Sequence, residues 1–286
     1  MGMGWHEWPL MIFTVLGQCV VGAFIIMALA LIAGRLDEVL TRRVHVSMFF
    51  LWVLMGIAFI ASVMHLGSPM RAFNSLNRIG ESALSNEIAS GSVFFAAGGI
   101  YWLLAMLNKM PAALGKLWLA ITMVLGLLFV YAMCRVYQID TVPTWHNGYT
   151  TLGFVLTMLI GGPLLGFLLL RAAGVLGCSM RLLPVISVLA VLVSVAVVAM
   201  QGFGLAEIHS SVQQASALIP AFGTLLAWRL ALLVLGLGCW ICPMIKGKTP
   251  SVTWLVIGFA LVVAGELIGR GMFYGLHMTV GMAVAG

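Results

Sequence analysis

Long apolar runs separated by short polar breaks repeat along this sequence. Eight of them can be drawn, at approximately 10–33, 47–66, 89–108, 117–134, 151–171, 182–200, 223–244 and 252–272. Each is long enough, at roughly 18 to 25 residues, to cross a ~30 Å hydrocarbon core. Inside lipid a backbone must satisfy its own hydrogen bonds, so the runs predict helices. The pattern reads as an all-α, polytopic membrane protein forming one domain over 1–286. The breaks after spans two and six, roughly 68–88 and 201–222, are longer and rich in Ser, Asn, Gln and Ala. Four spans return the chain to its starting side. Spans five to eight can therefore repeat spans one to four in the same orientation, as two four-helix bundles. Gly17-Gln18 in span one and Gly161-Gly162-Pro163 in span five read as matching helix interruptions.

Composition agrees with the pattern. The 286 residues are 63% hydrophobic and only 8% charged, against about a quarter charged in soluble domains. The net charge of +6 then bears on orientation rather than nucleic acid, since no basic cluster alternates with aromatics as a groove for DNA or RNA does. Arg35, Arg42, Arg43, Lys109, Lys116, Arg171, Arg181, Lys246 and Lys248 fall on one side. Arg71, Arg78, Arg135 and Arg270 fall on the other, and Arg229 lies within span seven. The positive-inside rule puts the larger group in the cytoplasm and both termini outside. The first 34 residues hold no Lys or Arg, so the first run reads as a retained helix rather than a cleaved signal.

Ionisable residues inside spans cost about 2.5 to 3.5 kcal/mol each at a helix centre, so their positions are informative. His65 ends span two, Glu87 opens span three and Arg229 lies about two turns into span seven. Glu266 and Arg270 sit one turn apart near the end of span eight, where they can pair. Glu207 and His209 precede span seven, and His277 follows span eight. Each has a structural alternative. A histidine in a last turn suits the helix dipole, Glu87 after Ser85-Asn86 suits a first turn, and Glu266 with Arg270 suits a structural ion pair. Arg229 is harder to dismiss, because its guanidinium stays charged and needs a partner.

All these groups gather at the outer edge. A histidine, a carboxylate and an arginine at a bilayer edge suit oxidation of a lipid-soluble quinol, which must shed two protons and two electrons. Imidazole and carboxylate can accept and relay the protons to water. The electrons need a carrier elsewhere. Cys19, Cys134, Cys178, Cys239 and Cys242 have no iron–sulfur spacing, and Cys239-Trp240-Ile241-Cys242 lies on an apolar helix without a βαβ context. The histidines offer no pair on facing helices at one depth, apart from His65 with His277, whose ligand geometry spacing leaves open. The reading is of a chain without haem or iron–sulfur cluster, whose redox centres belong to a partner.

Several blocks carry a specific likeness. They are Met1-Gly2-Met3-Gly4-Trp5-His6-Glu7-Trp8-Pro9-Leu10, the stretch from His65-Leu66-Gly67-Ser68-Pro69-Met70-Arg71 through Arg78 to Leu84-Ser85-Asn86-Glu87, and Asp140-Thr141-Val142-Pro143-Thr144-Trp145. Ile208-His209-Ser210-Ser211 and Gly265-Glu266-Leu267-Ile268-Gly269-Arg270 through Met282 extend it to the end. The sequence resembles the membrane anchor subunits of bacterial dimethyl sulfoxide reductases, the DmsC family, or a paralogue serving a related S- or N-oxide or selenate reductase. The resemblance implies an eight-helix anchor in the bacterial cytoplasmic membrane with both termini periplasmic. It implies oxidation of menaquinol near the periplasmic face, and electron transfer to a four-cluster iron–sulfur subunit and a molybdopterin catalytic subunit. It places the quinol-site His and Glu on His65 and Glu87; Arg71 and Arg78 lie in the same block as candidates for the site rim or the outer docking surface. Depth and residue type alone offer Arg229, Glu266 and Arg270 as support for the site or as a structural tie between helix ends. The rival readings are a secondary transporter, which needs polar ligands near the midplane, and a purely structural tether.

Overall fold

The computed structural model describes residues 4–65, 74, 77–176, 178–208, 214–219 and 221–279. Its architecture is eight long helices: α1 (Trp8–Ile32), α2 (Glu38–His65), α3 (Ala83–Met106), α4 (Ala112–Val136), α5 (Gly148–Ala172), α6 (Leu182–Glu207), α7 (Phe222–Ile245) and α8 (Val252–Gly275). All eight are long and apolar enough to cross a membrane. No strand occurs among the described residues.

Several helices outrun the apolar segments that predict them. α2 begins at Glu38 rather than near 47, α3 at Ala83 rather than near 89, and α6 continues to Glu207 rather than ending near 200. Hydropathy marks only the lipid-facing length, whereas capping sets the true ends. The Asp37 carboxylate accepts from Leu40 N at 2.7 Å, the Ser82 hydroxyl from Ser85 N at 3.5 Å and the Asn147 side chain from Thr150 N at 3.1 Å.

α1 and α5 form the spine. α1 packs on α2, α4 and α5, while α5 packs on α1, α6 and α8; the α3–α4 and α7–α8 hairpins complete two four-helix bundles. The spine helices are buried almost all round, which explains why both are apolar on every face. They run parallel: Cys19 lies against Gly161, Gly22 against Gly162 and Ile26 against Gly166. The second bundle thus repeats the first in the same orientation, as four-span spacing predicts.

The supposed interruptions are not breaks. α1 passes unbroken through Gly17-Gln18, and α5 through Gly161-Gly162-Pro163. The glycines there serve close approach: a Cβ on Gly22 would stand 2.7 Å from Met158 O and 2.8 Å from Gly162 Cα. Such small-residue contacts replace the hydrophobic drive that lipid removes. Pro163 cannot bond the Leu159 carbonyl one turn earlier. Ser187 of α6 compensates, donating to Ile160 O at 2.9 Å and Leu159 O at 3.3 Å. Unbroken helices take away the feature that favoured a transporter.

The basic residues assigned to one side do meet at one end. A side chain built on Gly34 would meet the Lys116 ammonium, and one on Gly174 the Arg43 guanidinium. Cys239 and Cys242 are free thiols on α7.

Candidate functional site

The first turn of the chain, Gly4–Glu7, folds over the opposite end of the bundles. Gly4 packs so tightly on α8 that an added Cβ would stand 2.5 Å from Gly271 O. This delivers Glu7 to the end of α2, where its Oε2 lies 3.2 Å from His65 Nδ1. His65 is the last residue of α2.

The pair borders a cavity of about 460 Å³, within the ~300–1,000 Å³ range of small-molecule sites. Tyr137, Trp145, Tyr274, His6 and His277 complete its polar and aromatic lining. The α4–α5 loop supplies Trp145, whose indole donates to Phe273 O at 2.8 Å and stacks on the Phe273 ring at 5.2 Å. The His277 ring lies 4.8 Å from that of Trp145. Tyr137 and Tyr274 join α4 to α8 through a 2.6 Å hydroxyl–hydroxyl hydrogen bond. Burial first, then Tyr274 and the charge of Glu87, push the Tyr137 phenol well above its ordinary range, with Arg270 opposing.

Glu87 lies one turn deeper than a first-turn carboxylate. Ser82 caps α3 and Ala83 opens it. Glu87 is only 4% exposed, and its Oε1 has no hydrogen-bond partner among the described residues. It does not line the His65 cavity.

Arg229, Glu266 and Arg270 belong to a different place. Glu266 does not pair with Arg270 directly, although they sit one turn apart. Its ion-pair partner is Arg229 of α7, at 3.1 Å. Arg229 also donates to the Ser194 hydroxyl at 3.0 Å. Thr157 of α5 donates to Glu266 Oε2 at 2.5 Å and accepts from Arg270 at 3.3 Å. Arg270 goes on to donate to Gln18 Oε1 of α1 at 2.9 Å, with its guanidinium 3.5 Å above the Phe154 ring. Gln18 in turn donates to Met133 Sδ of α4 at 3.7 Å. One polar chain therefore runs from α6 through α7, α8, α5 and α1 to α4, across both bundles.

Arg78 stands on the surface, 3.7 Å from Glu81, and does not line the cavity. Arg71 and His209 lie outside the described residues. Glu7, Tyr137, Trp145, Thr157, Ser194, Gln18 and Tyr274 take part in these arrangements, and the sequence marks none of them as a site residue. Among the described residues, no three histidine, cysteine or carboxylate side chains come together as metal ligands.

Eight helices long and apolar enough to cross a membrane define a multi-pass membrane protein with a cavity at one end of its bundles. The family model for the DMSO reductase anchor subunit (DmsC) matches residues 1–276. Over 286 residues, 100% of both proteins, the sequence is 66% identical to the C chain of the anaerobic dimethyl sulfoxide reductase of Escherichia coli (strain K12). It is 61% identical to the YnfH chain of anaerobic dimethyl sulfoxide reductase from the same strain. It is 42% identical to the corresponding C chain of Haemophilus influenzae (strain ATCC 51907 / DSM 11121 / KW20 / Rd); both of these matches again cover 100% of each protein. The protein belongs to the DMSO reductase anchor subunit family.

Proposed function

We propose that this protein is the quinol-oxidising anchor of a dimethyl sulfoxide or related S- or N-oxide reductase complex in the bacterial cytoplasmic membrane. The observation that carries the reading is the His65–Glu7 pair on the wall of a cavity at one end of the bundles. The substrate is menaquinol, entering from the hydrocarbon. As it becomes quinone it releases two protons and two electrons. His65, held toward the cavity by Glu7, accepts a hydroxyl proton and passes it to outer water. Glu87 is the second proton acceptor, reached through the Tyr137–Tyr274 hydroxyls. The proposal extends to Arg71 as a quinol-binding residue, on the family resemblance of its block alone.

The two electrons leave to a partner subunit with four iron–sulfur clusters, and from there to a molybdopterin subunit where the oxide is reduced. The partners dock on the periplasmic side, and the anchor itself carries no haem. Reduced-minus-oxidised spectra of the purified anchor free of b-type bands are the expected result. A b-type band would instead assign haem to His65 and His277. With a single cysteine at position 146 in a cysteine-free background, labelling should succeed from outside the cell; labelling only after lysis would reverse the orientation.

His65→Arg is the central test, made in the assembled complex. The expected result is loss of quinol-dependent oxide reduction with membrane attachment intact. Unchanged turnover would remove His65 from the site, and loss of attachment alone would leave the protein as a tether.

A further inference from the structure

At the end of the first bundle away from His65, α1 to α4 enclose a second cavity of about 400 Å³. Leu31 and Leu119 give it apolar walls. Two cations, Arg42 and Lys116, line it against one carboxylate, Glu38. Neither cation has an ion-pair partner among the described residues; Arg42 only donates to Asn108 Oδ1 at 3.4 Å. The buried Tyr101 hydroxyl is joined to His45 Nε2 at 3.0 Å, and the backbone of His45 is fixed by the Trp102 indole at 2.8 Å. Gly115 leaves room for Met110, another wall residue, since a Cβ there would stand 3.1 Å from its Cγ.

We propose that this cavity binds the phosphate-bearing headgroup of an anionic phospholipid. Arg42 and Lys116 hold the phosphate, the His45–Tyr101 pair meets headgroup hydroxyls, and Leu31 and Leu119 contact the glycerol and upper acyl carbons. A zwitterionic ethanolamine head fits less well, because its ammonium would confront the same two cations. A free anion would leave the apolar walls unused. The cavity lies at the end that collects most of the basic residues, where Lys and Arg near the surface attract acidic headgroups.

The test uses the assembled complex in neutral detergent, with thermal unfolding followed during lipid addition. Phosphatidylglycerol should raise the unfolding temperature, and phosphatidylethanolamine or inorganic phosphate should not. In the double variant Arg42→Gln, Lys116→Gln the apparent affinity for phosphatidylglycerol should fall roughly 30-fold, which corresponds to about 1 kcal/mol for each cation removed. Lys246→Gln with Lys248→Gln, at the same end but outside the cavity, should leave it unchanged. An equal response to inorganic phosphate, or equal loss in both double variants, overturns the proposal. Should the first double variant fail to assemble, a photoreactive phosphatidylglycerol on the wild-type complex decides. Its crosslinks belong in peptides spanning 31–45 and 101–119, and labelling elsewhere sinks the site.

Discussion

Thr157 stands between Glu266 and Arg270, donating to the first at 2.5 Å and accepting from the second at 3.3 Å. One hydroxyl from the spine helix α5 thus links two charges of α8. Its proton goes to Glu266 in preference to Gly153 O, which lies farther away at 3.2 Å. Thr157→Val keeps the shape and removes both contacts. It should cost about 1–2 kcal/mol, a range that allows for the modest net worth of hydrogen bonds inside membranes. Thr157→Ser should restore most of the loss. Thermal unfolding of the two variants in detergent measures the difference.

Glu266 is 2% exposed and neutralises Arg229. Glu266→Leu therefore leaves a largely buried guanidinium with only the Ser194 hydroxyl for company. Removing one member of such a pair costs about 3–5 kcal/mol, whereas replacing both by apolar residues is often close to neutral. Glu266→Leu should be severely destabilised, and Arg229→Met combined with Glu266→Leu should recover much of that loss. A double-mutant cycle on unfolding temperature checks the non-additivity; additive losses would mean the two charges are independent.

Apolar run length and loop charge are local properties, so the eight helices and the repeated bundle are legible in the sequence. His65, Glu87, Arg229, Glu266 and Arg270 also stand out there, because charge inside an apolar run is visible without a fold. Which of these meet depends on helix rotation and on parallel packing of α1 with α5. That is why the one-turn spacing of Glu266 and Arg270 suggests a direct pair, while the actual partner is Arg229 on α7. Glu7 escapes notice because it lies 58 positions from His65, and only the folding of Gly4–Glu7 over α8 brings them together. Tyr137 and Tyr274 carry no formal charge, so a search for ionisable residues inside spans passes them by.

Gly22 and Gly162 make the spine contact in which backbone meets backbone. A Cβ at Gly162 would stand 2.6 Å from Gly22 Cα, and backbone cannot swing aside as a flexible side chain can. Gly162→Val should prevent the two bundles from closing, seen as loss of a monodisperse peak in size-exclusion chromatography. Gly153, on the same helix, has nothing within 4 Å of an added Cβ. Gly153→Ala should be tolerated and gain up to about 1 kcal/mol from improved helix propensity. Equal behaviour of the two variants would refute close packing as the role of Gly162.

Glu7 offers a test of the proposed site that separates positioning from folding. Its Oε2 faces His65 at ion-pair distance, yet both side chains are partly exposed, so the pair contributes little to stability. Glu7→Gln should shift the unfolding temperature hardly at all. In the proposed quinol oxidation the carboxylate orients the ring that takes the proton. Gln retains size and a carbonyl acceptor but not the charge. Quinol-dependent turnover of the assembled complex should fall by about 10- to 100-fold, at the lower end of what a positioned acid–base group contributes. A reduced dye that feeds the partner subunits directly bypasses the cavity, and its turnover should not change. Loss of both activities would place the defect in assembly, and loss of neither would leave the His65–Glu7 pair without a part in quinol oxidation.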